Sequence, residues 1–114
     1  MKKIEAIIRS SKFEQVKEAL SEKEINFFTF FEVKGYGHQK GSSMAYRGAI
    51  YDQGFIGRTK LEIIVSEDFV EPAINAIMGA ANTGEKGDGL IYVSKLDEII
   101  NIRTALKNSD SINN

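Results

Sequence analysis

The segment Thr83-Gly84-Glu85-Lys86-Gly87-Asp88-Gly89 brings three glycines into seven positions. Successive backbone amides in such a turn can form a concave, anion-binding nest. The missing side chains let a phosphate reach the main chain. The same residues also serve as a plain helix-to-strand connection ending in an Asp-Gly turn. A second segment, Lys34-Gly35-Tyr36-Gly37-His38-Gln39-Lys40-Gly41, has Gly35 and Gly37 for tight backbone geometry. Gln39 and Lys40 are its polar contacts. It is neither a Walker nor a dinucleotide-binding fingerprint, because no helical pattern begins there.

Other chemistry is sparsely represented. The one histidine, His38, lies in a glycine loop, there is no Ser/His/Asp set, and no carboxylate pair stands at a conspicuous spacing. Nothing here points to an enzyme. The absence of cysteine excludes a disulfide framework, a thiolate metal site and a cysteine nucleophile. One histidine with scattered carboxylates makes no metal-ligand cluster. Fifteen basic and sixteen acidic side chains nearly cancel, so no basic surplus points to nucleic acid. The chain starts Met1-Lys2-Lys3, and Glu5 and Arg9 interrupt the apolar run that follows. That pattern fits neither a signal peptide nor a membrane span, so the expectation is a cytoplasmic protein without direct membrane insertion.

The elements that must hold the two loops follow from periodicity. Residues 2–9 alternate as a strand, with Ile4, Ala6 and Ile8 on one face. Ser11 and Glu14 have capping-box spacing, and Phe13, Val16 and Leu20 continue as a helical stripe. Ile25 to Lys34 is rich in aromatic and β-branched residues and reads as a second strand. Six of the ten glycines then fall between Gly35 and Gly57, so about 36–57 reads as a long loop, a length usually reserved for function. Thr59 to Val65 is a third strand. Ser66 can cap a second helix, with Glu67, Asp68 and Pro72 in its first turns and Val70, Ile74, Ile77 and Ala81 as its seam. Residues 82–89 form the second loop. Leu90 to Val93 is a fourth strand, Ile99 to Arg103 a short fifth one, and 105–114 a polar tail expected to fray.

This order predicts one α+β domain over 1–104 with the ferredoxin-like βαββαβ arrangement. Its two helices cover one face of the sheet. Ile7, Ile64 and Ile100 point to the other, which therefore calls for a partner, most simply a copy of the same chain. An RNA-recognition module shares the strand order. It requires exposed aromatics on central strands and a basic face, whereas here the phenylalanines cluster at 27–31 and the net charge is −1.

The pieces MKKIEAIIR (1–9), VKEAL (16–20), EVKGYGHQKG (32–41), YRGAIY (46–51), KLEIIV (60–65), TGEKGDG (83–89) and IRT (102–104) together resemble the PII nitrogen-regulatory signalling family. The resemblance implies a homotrimer with ATP or ADP bound in clefts between subunits, and in many members 2-oxoglutarate beside Mg-ATP. It implies a T-loop (about 36–57) that touches a regulated transporter or metabolic enzyme, and a B-loop (about 82–89). Adenine and ribose contacts are implied near Ile7, Thr29, Glu62 and Ile64. Phosphate contacts are implied from Gly37, Gln39, Gly87, Asp88, Gly89 and Arg103, with Gly35, His38 and Lys40 in the same loop. Gln39 matches the residue that helps place Mg and 2-oxoglutarate, Arg58 stands where a lysine pairs with a 2-oxoglutarate carboxylate, and Tyr51 matches a uridylylation site of some relatives.

The departures from the pattern are specific. His38 stands in place of arginine, Leu90 in place of the lysine that closes the B-loop, and Asn101 in place of the first arginine of an R-x-R pair. Each removes a cation expected near phosphate, and a charge-assisted hydrogen bond contributes roughly 1.5–3 kcal/mol. Arg58 keeps the charge but replaces a point charge with a planar fork. Ile50 replaces the acidic residue that usually precedes the modified tyrosine, and Ala49 replaces the serine phosphorylated in other relatives. A regulator outside ammonium assimilation, with weak or no 2-oxoglutarate sensing, is the alternative these changes favour.

Overall fold

The structure is a computed structural model that describes residues 1–35, 44–46, 49–51 and 56–112, with only the backbone for 44–46, 49–51 and 56. Strand β1 (Lys2–Arg9) alternates as its sequence dictates: Ile4, Ala6 and Ile8 are buried and the residues between them are not. A 3-10 turn, Ser10–Lys12, leads into helix α1 (Phe13–Glu22). No side-chain bond caps either helical start, so the expected capping box is not formed. The early turn puts Ser11 inside the helical path, past the capping position, which Arg9 occupies. Glu14 instead pairs with Lys17 at 2.8 Å.

Strand β2 (Thr29–Gly35) starts later than the aromatic run predicts. Helix α1 ends with Glu24 in the left-handed region at φ 63°. Ile25 N–H donates to Leu20 O at 2.9 Å and Glu24 N–H to Ser21 O at 2.9 Å. This is the Schellman closure, with Ile25 and Leu20 making its apolar contact in the core. It consumes the residues that alone would read as strand.

Strands β3 (Met44–Tyr46) and β4 (Ala49–Tyr51) pair as a short antiparallel hairpin within the long glycine-rich segment. Strand β5 (Ile56–Val65) begins earlier than expected, with Ile56 paired to Gly35. A 3-10 turn over Glu67–Phe69 precedes helix α2 (Val70–Ala81). Ser66 contributes its carbonyl, to Phe69 N–H at 3.0 Å, rather than its hydroxyl. Strand β6 (Gly89–Lys95) completes a four-stranded antiparallel sheet in the order β2-β5-β1-β6.

Among the described residues, the core lies on one face of the sheet. Ile4, Ala6, Ile8, Leu61, Ile63 and Val65 from the sheet pack with Val16, Leu20, Ala73, Ala76, Ile77 and Ala81 from the helices. The opposite face carries Ile7, Lys60, Glu62, Ile64, Leu90 and Tyr92, and of these Ile64, Leu90 and Tyr92 are exposed large apolar groups. Exposed Phe30 and Phe31 lie on the edge strand β2. The central strands β1 and β5 contain no aromatic residue, unlike an RNA-recognition sheet.

The C-terminal segment corrects two expectations. Ile99–Arg103 is not a fifth strand: it makes one isolated bridge, Ile100 to Lys107, because the chain turns sharply at Asn101. Nor does the tail fray through Ile112. Asn108 N–H donates to Ile99 O at 2.8 Å, and a short helix α3 (Ser109–Ile112) buries Ser111 to 3% exposure.

Candidate nucleotide-binding site

Strands β1, β5 and β6 converge at one end of the sheet, where Arg9 pairs with Arg58 and Ile8 with Gly89. The B-loop sits there and is built around one carboxylate. Asp88 Oδ2 accepts the N–H of Thr83 at 2.8 Å and of Gly84 at 3.0 Å. Asp88 Oδ1 accepts the Thr83 hydroxyl and Arg9 Nε–H, the latter at 3.1 Å. Arg9 also donates from Nη2 to Lys86 O at 2.8 Å, and Arg58 donates from Nη1 to Gly87 O. The loop is therefore stitched both to itself and to the ends of β1 and β5.

Its glycines have defined duties. Gly84 and Gly87 hold φ at 82° and 95°, a region L side chains rarely enter. Gly89 combines φ 111° with close approach to β1: a Cβ there would stand 1.7 Å from Ile7 O.

The Thr83 hydroxyl, then the Thr83 amide, Arg9 and the Gly84 amide, hold the Asp88 carboxyl well below the usual carboxylate range against a smaller opposing effect of burial. Asp88 is thus an anion across the physiological range. Arg58 is buried, at 7% exposure, and burial followed by the neighbouring Arg9 lowers its pKa while Asp88 opposes. A guanidinium stays charged regardless. Two guanidiniums face one carboxylate, which leaves a local excess of positive charge beside a glycine loop. That donor set fits a polyphosphate, although Asp88 already takes the amides of Thr83 and Gly84.

The other expected contacts lie elsewhere. Thr29 opens β2 opposite Glu62, and Ile64 pairs with Lys3. Arg58 and Glu62 are four residues apart on β5, about 13 Å at strand rise, and Ile64 is about 20 Å from Arg58. Ile7 lies between Lys60 and Leu90, close to the B-loop end. Between the groups, Lys60 Nζ bonds Glu5 at 2.8 Å and stands 5.7 Å and 5.9 Å from the Phe31 and Tyr92 ring centroids. Among the described residues, one chain therefore presents two partial clusters rather than one closed pocket. Leu90, at 69% exposure, has an apolar side chain on the open face beside Ile7.

Gly35 ends β2. Gly37, His38, Gln39 and Lys40 lie outside the described residues, and with them the expected Mg position. Tyr51 is the last residue of β4, and its side chain lies outside the described residues. Arg103 is in the turn after Asn101, its N–H bonded to Asn101 Oδ1 at 2.9 Å.

Three residues that organise the loop and the C-terminal turn are not obvious from the sequence. Arg9 is legible only as the last outward residue of β1, Thr83 only as the start of the glycine loop. Asn101 reads as a missing cation, yet its side chain organises the whole C-terminal turn.

The fold and loop together define a ferredoxin-like α+β domain with an anchored glycine-rich loop at one sheet end. The family model described as "Nitrogen regulatory protein P-II" matches residues 1–106. Proteins of that name from Bradyrhizobium diazoefficiens, Azospirillum brasilense and Pasteurella multocida are 50%, 48% and 46% identical, each over 98% of this chain and 100% of their own length. The chain belongs to the nitrogen regulatory protein P-II family, a family of signalling regulators.

Proposed function

We propose that this chain binds ATP or ADP in clefts completed between the subunits of a homotrimer and reports the result, through the T-loop, to a transporter or metabolic enzyme. The observation that carries this reading is the division of the candidate site. The B-loop cations and amides stand at one end of the sheet, and Thr29, Glu62 and Ile64 stand along it. A second copy on the open face would bring the two halves together, and it would also cover Ile64, Leu90 and Tyr92. Burial of apolar surface yields roughly 25 cal/mol per Å², so this face favours association. When bound, the nucleotide would bring phosphate charge suited to Arg58, Arg9, Arg103 and the B-loop amides beyond Thr83, Gly84 and Glu85, whose N–H groups are already bonded within the loop. Gln39 would help hold any Mg that accompanies ATP.

Leu90 and Asn101 leave the phosphate end with fewer cations than the family pattern. The γ-phosphate carries the most charge, so discrimination between ATP and ADP suffers first. Arg58 engages the Gly87 carbonyl and is a fork rather than a lysine, so 2-oxoglutarate is sensed weakly. These changes favour a regulator serving a partner outside ammonium assimilation, and Tyr51 without its acidic neighbour is a weak modification site. The protein works in the cytoplasm in this reading; among the described residues no helix is long and apolar enough to cross a membrane. Titration calorimetry with ATP, ADP, AMP and 2-oxoglutarate tests it. The expected result is ATP and ADP binding of similar strength with little 2-oxoglutarate response. Failure of both nucleotides to bind contradicts the proposal.

A further inference from the structure

Asn101 Oδ1 accepts the N–H of Arg103 at 2.9 Å and of Thr104 at 3.0 Å. These are the second and third amides after it, the pair that an asparagine satisfies at the start of a helical turn. The Asn101 carbonyl accepts Ala105 N–H at 2.8 Å, closing that turn, and Ala105 ends it in the left-handed region at φ 61°. On the other side Asn101 Nδ2 donates to Ser111 O at 2.8 Å, and Asn101 N–H donates to Leu106 O at 2.9 Å. One side chain thus caps the turn that carries Arg103 and ties it to the C-terminal helix. An arginine has five donors and no acceptor, so it could not take the two amides.

We propose that Asn101 is a positioning residue that fixes Arg103 for a nucleotide phosphate, and that residues 105–111 act as the strap supporting it. The inference rests on the nucleotide reading above. The position exchanges a direct cation for the geometry of the remaining one. The strap explains why a polar tail folds back rather than fraying: Ser111 Oγ–H donates to Asn108 O, and Asn108 N–H closes on Ile99 O.

The test is a double-mutant cycle read by ATP calorimetry, using Asn101→Ala, Arg103→Gln and the double variant. Asn101→Ala is expected to weaken ATP about fivefold to tenfold, somewhat less than the full contribution of one charge-assisted hydrogen bond, because Arg103 is loosened rather than removed. The same substitution is expected to change affinity less than about twofold when Arg103 is already glutamine, because coupled residues are non-additive. Asn101→Ser keeps an oxygen for the Arg103 and Thr104 amides and is expected to retain most of the affinity; it carries the test if the alanine variant does not fold. An Asn101→Ala loss that persists undiminished in the Arg103→Gln background assigns Asn101 a merely structural role and overturns the inference, as does no loss at all. A wild-type protein that binds ATP while showing either result leaves the nucleotide reading standing. A wild-type protein that binds no nucleotide removes both.

Discussion

Arg9 and Asp88 are separated by 79 positions in the chain and meet at 3.1 Å, guanidinium Nε–H to carboxylate Oδ1. Through this contact the end of β1 holds a loop that begins after α2. Asp88 in turn holds the Thr83 and Gly84 amides, so one ion pair links the sheet to the backbone of the glycine-rich loop. The relationship commits the Asp88 carboxylate to ordering the loop, so in the proposed reading any contact of Asp88 with phosphate would come from its backbone N–H.

Replacing Asp88 with alanine releases the Thr83 hydroxyl and two backbone amides. Hydrogen exchange at Thr83 and Gly84 is expected to accelerate, while the buried core amides of β1 and β5 keep their protection. Nucleotide affinity falls about tenfold or more, in line with the roughly 1.5–3 kcal/mol carried by charge-assisted bonds. Unchanged exchange at both glycine-loop amides would show that Asp88 does not order the loop.

The same carboxylate sets a pH dependence. Its folded-state pKa is depressed below the ordinary 3.8, so its contribution is fully present above that value and is lost as pH falls through the folded one. Loop exchange, corrected for intrinsic rates, is therefore flat between pH 7 and about 5 and rises only in stronger acid. A transition near neutrality would contradict this assignment.

Gly89→Ala is the severest single change in the loop. Its Cβ would meet Ile7 O at 1.7 Å, and φ is 111°, so neither the space nor the backbone tolerates it. Left-handed strain alone costs about 1–3 kcal/mol, and displacement of β6 from β1 adds to that. Thermal denaturation should show a clear fall in midpoint, whereas Gly79→Ala, with open space around it in α2, should leave the midpoint unchanged or higher.

Leu90→Lys restores a cation beside the B-loop. ATP affinity is expected to rise about tenfold, and more than ADP affinity, by the contribution of one charge-assisted bond. Calorimetry of the variant against wild type reads this directly. Equal ATP and ADP affinities in the variant would place residue 90 away from the terminal phosphate.

Periodicity makes the two-layer α+β domain legible, because Ile4, Ala6 and Ile8 alternate strictly and Val16 and Leu20 share a helical face. Helix and strand boundaries are less so. Glu24 takes a left-handed cap where glycine would have announced the stop, and the apolar Ile25 serves that cap instead of a strand. The C-terminal error has a similar cause: Ile99 and Ile100 read as strand, but Asn101 turns the chain with its own side chain. At the site, the glycine spacing reveals the B-loop while its anchors stay hidden. Arg9 and Asp88 meet only because antiparallel pairing brings Ile8 beside Gly89.

Native mass spectrometry of the purified chain with ATP tests the central claim in one spectrum. The account predicts assemblies of three chains carrying up to three nucleotides, with single chains carrying none, because each single chain holds only the two separated half-sites. ATP retained on single chains, or three-chain assemblies that take up neither ATP nor ADP, would contradict it.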